Sequence, residues 1–251
     1  MAEKRRADQL LVEQGLAESR TKAQAIILAG LVSCDGRRVD KPGEQLAADQ
    51  TLALKERDHP WVSRGGVKLA AAFDHFRVKV EGHVALDIGA STGGFTEVLL
   101  SRAASRVYAV DVGHGQLAWK LRQDPRVVVL ERLNARYLTR ADVPEPLDII
   151  TCDASFIGLA TVLPAPLALA AEKAQLVALI KPQFEAGRAH VGKGGVVRDP
   201  AVHREVCERA SAWVAAQPGW SVVGIAESPI LGPEGNREFL LYARRSGDGE
   251  R

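Results

Sequence analysis

Four charged residues that lie far apart in the chain could act together on a hydroxyl group. Lys68, Asp153, Lys181 and Glu238 each fall at the boundary of a predicted helix or strand. Strand ends converge on the ligand in open α/β sheets, so we expect these four side chains to meet. Each of them alone is more often a surface ion-pair partner. Together, two amines and two carboxylates predict an active site that handles a proton.

A glycine-rich turn provides a neighbouring ligand site. Gly89, Gly93 and Gly94 lie between an apolar strand and the start of a helix, and Asp87 precedes the first of them. Their spacing fits neither the G-x-G-x-x-G dinucleotide fingerprint nor the G-x-x-x-x-G-K-[ST] phosphate loop. An acid at this place suits a cationic amine better than a diphosphate. S-adenosylmethionine carries an ammonium and a sulfonium group, so we predict it as the cofactor; a tight turn without a ligand is the alternative.

Two more positions complete the predicted cofactor site. Asp111 ends the second strand, about twenty residues after the glycines, from where a carboxylate can accept both ribose hydroxyls. Asn134 follows the third strand and could either hydrogen-bond an adenine edge or cap the next turn. The residues assigned to the cofactor are Asp87, Gly89, Ser91, Thr92, Gly93, Gly94, Phe95, Asp111, Val112, Asn134 and Asp153.

The residues that follow the fourth strand restrict the methyl acceptor. Enzymes that methylate exocyclic amines commonly have two prolines and an aromatic residue there, whereas this chain has Cys152-Asp153-Ala154-Ser155-Phe156. Cys152 also lacks the preceding proline usual for a nucleophile toward carbon-5 of a pyrimidine, and a buried core cysteine is the better interpretation. Both of these acceptors are disfavoured, and we expect a ribose hydroxyl, a poor nucleophile at neutral pH that needs a base.

Lys181 is the predicted base for that hydroxyl. We expect its pKa to be lowered by partial burial and by the second amine, Lys68. Asp153 would orient Lys181 near the donor methyl, and Glu238 would steer the amines or the ribose.

The strands and helices that must position these residues alternate after residue 60. Predicted strands cover residues 84–88, 106–111, 127–130, 148–153, 175–180, 220–227 and 238–244, with helical stretches between most of them. This order predicts a Rossmann-like α/β fold with a seven-stranded, mostly parallel sheet. A charged linker at 55–60 separates it from the preceding residues. We therefore predict one domain at 1–60 and a second at 61–251.

The first sixty residues predict a small α+β domain. A short helix beginning at Asp8 ends at Gly15, and Ser19 is a suitable N-cap for a second helix. The dipeptide Asp35-Gly36 then favours a two-residue hairpin turn.

Several stretches of the chain resemble known families. The run from Leu10 to Gly36 resembles the αL RNA-binding domain of ribosomal and RNA-modifying proteins, and residues 89–100 are similar to the first motif of FtsJ-like methyltransferases. The Lys-Asp-Lys-Glu order resembles that of ribose 2′-O-methyltransferases. With residues 61–66 and 181–185 added, almost the whole chain resembles the TlyA family. That resemblance implies methylation of a cytidine 2′-hydroxyl in ribosomal RNA, on one or both ribosomal subunits.

The resemblance also implies that basic side chains of the N-terminal domain contact RNA phosphates, although solvated surface charges are the alternative. A glycine-rich basic stretch at 185–195 is a second candidate for lying on the RNA. The assigned residues are Arg5, Arg6, Arg20, Lys22, Arg37, Arg38, Arg64, Arg188 and Lys193.

Composition restricts the remaining classes of protein. The 251 residues carry a net charge of +2, which permits a polyanionic partner without requiring one. No apolar run predicts a signal peptide or a membrane span, and three scattered cysteines and six scattered histidines predict neither disulfides nor a metal site. We expect a cytoplasmic enzyme.

The main alternative is a non-catalytic RNA-binding or ribosome-assembly factor that retains a donor site. A nicotinamide-dependent enzyme rests only on fold analogy, and the oligomeric state stays open.

Overall fold

The computed structural model describes residues 4–54 and 59–247. The chain divides into two compact units between Arg64 and Gly65, four residues after the boundary expected from sequence. Residues 55–58 of the expected linker lie outside the described residues.

The N-terminal unit combines two helices with short strands. The helices are α1 (Ala7–Glu13) and α2 (Arg20–Leu28), and the strands are β1 (Lys4–Arg6), β2 (Val32–Cys34), β3 (Arg37–Arg38), β4 (Gln45–Ala47) and β5 (Leu52–Leu54). Strand β1 pairs with β4, while β3, β2 and β5 form an antiparallel sheet in that order. Leu10, Leu11, Ile27 and Val32 are among the buried residues that hold the unit together.

Local sequence explains two features of this unit. The Ser19 side chain accepts a hydrogen bond from the Lys22 backbone N–H and so caps α2. Asp35 and Gly36 both have positive φ, 50° and 77°, which is the geometry of the predicted hairpin turn between β2 and β3.

The C-terminal unit alternates strands and helices along the chain. Its strands are β6 (Val84–Ile88), β7 (Arg106–Asp111), β8 (Val127–Glu131), β9 (Leu147–Cys152), β10 (Ala170–Ile180), β11 (Trp220–Glu227) and β12 (Phe239–Arg245). Its α-helices are α3 (Gly65–Phe76), α4 (Gly94–Ser101), α5 (Trp119–Arg122), α6 (Leu159–Val162), α7 (Pro164–Ala168), α8 (Pro182–Glu185) and α9 (Pro200–Ala215).

The strands of this unit form one seven-stranded sheet in the described part of the chain. Its order is β11-β12-β10-β9-β6-β7-β8, with β10, β9, β6, β7 and β8 parallel and β12 antiparallel to both of its neighbours. The predicted fold class, a mostly parallel seven-stranded α/β sheet, is therefore confirmed. Because β6 pairs with β7 on one side and with β9 on the other, the strand order reverses at β6, where such sheets bind their ligands.

An apolar cluster packs against the sheet. Leu86, Val110, Ile150, Leu176 and Leu241, from five different strands, are almost completely buried in it. Burial on this scale fixes the strand ends that carry the polar site residues. Among the described residues, no helix has the length and apolar character needed to cross a membrane.

Candidate active site

A cavity of about 640 Å³ opens at the carboxyl ends of β6, β7 and β9. Its wall includes Gly89 after β6, Asp111 at the end of β7 and Asp153 after β9, with apolar side chains such as Ile88 and Leu133 between them. The cavity therefore lies where the strand order reverses, as expected for an open α/β sheet.

The predicted cofactor residues divide into two groups in the structure. Those on the cavity wall are Gly89, Ser91, Asp111, Val112, Asn134 and Asp153. The others lie beneath or behind the glycine-rich turn, where they are buried: Asp87, Thr92, Gly93, Gly94 and Phe95. This second group can shape the turn but does not line the cavity.

Asp87, the predicted partner of a cationic amine, is held by a residue of α4. Its side chain is fully buried, and one carboxylate oxygen accepts a 2.6 Å hydrogen bond from the Thr96 hydroxyl. Burial raises the pKa of Asp87 to about 7, although the Thr96 hydrogen bond opposes the rise. Asp87 therefore joins the end of β6 to α4 through one oxygen, while its other oxygen, Oδ1, is buried and has no hydrogen-bond partner among the described residues.

The glycines of the turn allow close packing within the protein. A Cβ at Gly89 would lie 2.9 Å from the Asp153 carbonyl oxygen, and one at Gly93 would lie 2.3 Å from the Leu121 side chain. Gly93 also has a φ of +98°, which L side chains rarely adopt. The close neighbours are protein atoms, so these glycines allow the turn to pack against β9 and α5.

Asp111 and Asn134 lie at the cavity with part of their hydrogen-bonding capacity already used. The two Asp111 carboxylate oxygens accept from the backbone N–H groups of Ser91, at 2.8 Å, and Gly113, at 2.6 Å. These bonds orient the carboxylate, and each oxygen keeps a second lone pair for a ligand. The Asn134 side-chain oxygen accepts from the Arg136 backbone N–H, which is the capping alternative.

Lys181, immediately after β10, is in direct contact with the residues that follow β9. Its Nζ lies 2.6 Å from Asp153 Oδ1 and donates hydrogen bonds to the Asp153 carbonyl oxygen, at 3.1 Å, and to Ser155 Oγ, at 3.0 Å. Lys181 is only 6% exposed. The structure thus brings together the predicted base and the predicted orienting carboxylate.

Lys68 and Glu238 form a second buried ion pair. Lys68 Nζ on α3 lies 2.5 Å from Glu238 Oε2, at the residue before β12. A Cβ at Gly232 would lie 2.1 Å from Glu238 Oε1, so a glycine is needed there to leave room for the carboxylate. Each of the two lysines therefore has its own carboxylate.

This pairing contradicts the expected lowering of the Lys181 pKa. Burial by itself would lower the pKa, but the charges of Asp153 and Glu238 outweigh burial, and the pKa of Lys181 is raised. Lys68 cannot act as an uncompensated cation because Glu238 neutralises it. Lys181 is therefore an ammonium group in this structure.

The cavity wall also contains residues that the sequence analysis did not assign. Ser155 and Phe156 follow Asp153 and Ala154, and Phe156 is 89% exposed with a strained φ of +65°. Gln116 accepts a hydrogen bond from the Ser91 hydroxyl. Only the position of Ser155 and Phe156 after the fourth strand could have indicated them.

Cys152 is fully buried with its pKa raised to about 12 by burial, which agrees with a core cysteine.

Most of the basic residues assigned to RNA in the N-terminal unit form ion pairs. The pairs are Arg5 with Glu13, Arg6 and Arg20 with Asp8, Arg37 with Glu44, and Arg38 with Asp40. Lys22 on α2 is exposed, as are Arg188 and Lys193 in the C-terminal unit, and Arg64 is half-buried. Phosphates would have to compete with carboxylates for most of the arginines.

Asp8 connects two of these arginines. Its fully buried carboxylate accepts two 2.9 Å hydrogen bonds from Arg6, one of 2.9 Å from Gln24 and one of 3.2 Å from Arg20. The Arg6 hydrogen bonds hold the pKa of Asp8 well below its usual range. Asp8 was not among the predicted site residues, because its partners belong to different elements.

Fold and site together define a Rossmann-like domain of the methyltransferase class, preceded by a small α+β unit. Residues 61–245 match the family described as FtsJ-like methyltransferase, and residues 5–52 match the S4 domain. With these matches over most of its length, the chain belongs to the FtsJ-like methyltransferase family.

Individual relatives match nearly the full length of the chain. The Mycobacterium tuberculosis protein named 16S/23S rRNA (cytidine-2′-O)-methyltransferase TlyA is 49% identical over 99% of this chain and 92% of its own. A Bacillus subtilis protein, YqxC, described as a candidate rRNA methyltransferase, is 49% identical over 99% of this chain and 89% of its own. A solved structure of a candidate hemolysin from Streptococcus thermophilus is 44% identical, covers 99% of this chain and 92% of that one, and has a TM-score of 0.75.

Proposed function

We propose that this protein transfers a methyl group from S-adenosylmethionine to the 2′-hydroxyl of a cytidine in ribosomal RNA. The observation that carries the proposal is the buried amine of Lys181, held 2.6 Å from Asp153 Oδ1 beside a cavity at the switch point of the sheet. A lysine in that position can take a proton from a hydroxyl. Methylation of an amine or of a pyrimidine carbon would not require a lysine base of this kind.

The cavity residues fit S-adenosylmethionine. Asp111 offers its carboxylate to the two ribose hydroxyls, and apolar residues such as Ile88 and Leu133 can contact the adenine. Asn134 can still donate through its side-chain nitrogen. When bound, the cofactor supplies an electrophilic methyl group on a positively charged sulfur. Asp153, whose side chain is 20% exposed on the cavity wall, would be available to balance that charge.

Ribosomal RNA is proposed as the substrate because of the S4 match and the names of the relatives. The M. tuberculosis relative is named for cytidine 2′-O-methylation of 16S and 23S rRNA. The exposed basic residues Lys22, Arg188 and Lys193 would add salt-dependent affinity for the phosphate backbone. Action on ribosomal RNA also supports a cytoplasmic location.

The protein's own residues divide the work as follows. Lys181 in its neutral form removes the proton of the 2′-hydroxyl, which makes the oxygen nucleophilic. Asp153 fixes the position of the Lys181 amine. Lys68 and Glu238 form a second ion pair whose charges balance each other. The charge of Glu238 also helps to raise the pKa of Lys181.

The test uses ribosomal subunits from cells that lack this gene and a methyl-labelled donor. The wild-type protein should place label in 2′-O-methylcytidine, measured after digestion to nucleosides. Lys181→Arg keeps the positive charge but cannot supply a neutral base, so it should lose activity by at least about a hundredfold. Lys79→Ala, at an exposed lysine, is the matched control and should be unaffected.

Two separate outcomes would contradict the proposal. Label found on bases would reject ribose methylation. Donor binding and RNA binding without any methyl transfer by the wild-type protein would favour the non-catalytic assembly factor.

Calorimetry with Asp111→Ala tests the cofactor assignment independently, because this variant should bind S-adenosylmethionine more weakly while its Lys181 contacts stay intact.

A further inference from the structure

Lys181 needs a way to exchange its proton with solvent. This inference rests on the proposed function, because a base that takes the 2′-hydroxyl proton ends every turnover as an ammonium group. The structure also holds Lys181 as an ammonium before the reaction, since the charges of Asp153 and Glu238 outweigh its burial. With 6% of its surface exposed, Lys181 has little direct access to water.

The polar contacts of Lys181 Nζ differ in their ability to pass a proton on. The Asp153 carbonyl oxygen accepts a hydrogen bond but has no proton of its own to release. Asp153 Oδ1 is itself buried from solvent and accepts no other hydrogen bond from the part of the chain that the structure describes. Ser155 Oγ, at 3.0 Å, belongs to an exposed residue on the wall of the open cavity, and a hydroxyl can accept one proton while it donates another.

We propose that Ser155 is the proton relay between Lys181 and solvent. In the step, an N–H bond of the Lys181 ammonium breaks and its proton forms a bond to Ser155 Oγ. The original hydroxyl proton of Ser155 passes to a water molecule in the cavity. Lys181 is left as a neutral amine, Ser155 is again a neutral hydroxyl, and the water becomes hydronium. The reverse transfer recharges Lys181 when no substrate is bound.

The first test measures the relay without cofactor or RNA. In full-length protein labelled with 15N at lysine Nζ, NMR reports how fast the Lys181 ammonium protons exchange with water, and Lys181→Arg identifies the signal. Ser155→Ala should slow this exchange by about 10- to 100-fold. Ser155→Thr keeps the hydroxyl and should restore it. Lys68, which is paired with Glu238, is the internal reference and should not change. Unchanged or faster exchange in Ser155→Ala would overturn the relay.

The second test measures turnover and separates a relay from a purely structural role. Ser155→Ala should reduce multiple-turnover methylation by about 10- to 100-fold, and Ser155→Thr should retain most of it. A small diffusible buffer such as imidazole, added at constant pH, should partly rescue Ser155→Ala, because it can carry the proton instead. A deficit that neither the buffer nor threonine relieves would mean that Ser155 only positions Lys181. If the wild-type protein transfers no methyl group to ribose while the exchange result holds, the proposed function fails and the relay stands.

Discussion

Replacement of Asp87 by asparagine should change how the stability of the protein depends on pH. Asp87 is fully buried at the end of β6, and burial raises its pKa from an ordinary value near 3.8 to about 7. Between these two values the folded protein keeps the proton that the unfolded chain has released. The stabilisation from this group is therefore complete below about pH 4 and is lost as the pH rises through about 7.

The size of the effect follows from the two pKa values. A rise from 3.8 to about 7 corresponds to about 4 kcal/mol over the full range, at about 1.4 kcal/mol for each tenfold change in proton affinity. Between pH 5 and pH 8 the contribution of Asp87 should fall by about 2.5 kcal/mol. The amide that replaces the carboxyl group is neutral at both pH values, so Asp87→Asn should gain about that amount relative to wild type on going from pH 5 to pH 8.

Urea unfolding of both proteins at pH 5 and pH 8 measures the difference. Titrating groups that do not interact with Asp87 are common to the two proteins and cancel in the comparison. Thr96→Val provides the companion variant, because loss of the hydroxyl that stabilises the carboxylate should raise the pKa of Asp87 further and widen the pH dependence. If the difference in unfolding free energy between wild type and Asp87→Asn were the same at both pH values, Asp87 would not be titrating in the folded protein and the reasoning would be refuted.

Two further substitutions test contacts within each unit. Gly93→Ala should destabilise the C-terminal unit by about 2–3 kcal/mol in thermal or urea unfolding, because its φ is +98° and the new Cβ would lie 2.3 Å from Leu121. Gly115→Ala, at a φ of +69° with open space around it, is the control and should cost only about 1 kcal/mol; equal losses would contradict the contact with Leu121. Asp8→Ala should destabilise the N-terminal unit by about 2 kcal/mol at neutral pH, since it removes the acceptor of Arg6. Because the folded pKa of Asp8 is lowered, that loss should shrink as the pH falls below about 4, and a loss that persists in acid would argue against an ionised Asp8.

Sequence patterns predicted the large elements of the fold well. Strand β6 and strand β7 have the predicted bounds, because continuous apolar residues between polar turns leave few alternatives. The start of β10 at Ala170 was placed five residues too late, since charged residues at Glu172 and Lys173 interrupt the apolar pattern there. Short strands β1, β4 and β5 were missed, because two or three residues carry no period of their own.

The candidate site was harder to predict because its properties depend on which residues meet. The sequence identifies Lys181 and Asp153 as strand-end residues, and the structure brings them to 2.6 Å. It does not reveal that Lys68 pairs with Glu238, across a separation of 170 residues in the chain. The expected sign of the Lys181 pKa shift was wrong because the charges of Asp153 and Glu238 outweigh the effect of burial.

The two ion pairs allow three charged groups, Lys68, Lys181 and Glu238, to be buried beside the half-buried Asp153. The same pairs determine what the site needs in order to react. Lys68 and Lys181 carry two positive charges, Asp153 and Glu238 carry two negative ones, and the set is neutral as a whole. A neutral set can be buried at a far lower cost in desolvation than a lone ammonium. The same pairing keeps Lys181 protonated, so the base must lose a proton before each turnover. A hydroxyl 3.0 Å from Lys181 Nζ, on the solvent-facing wall of the cavity, meets that requirement without adding a further buried charge.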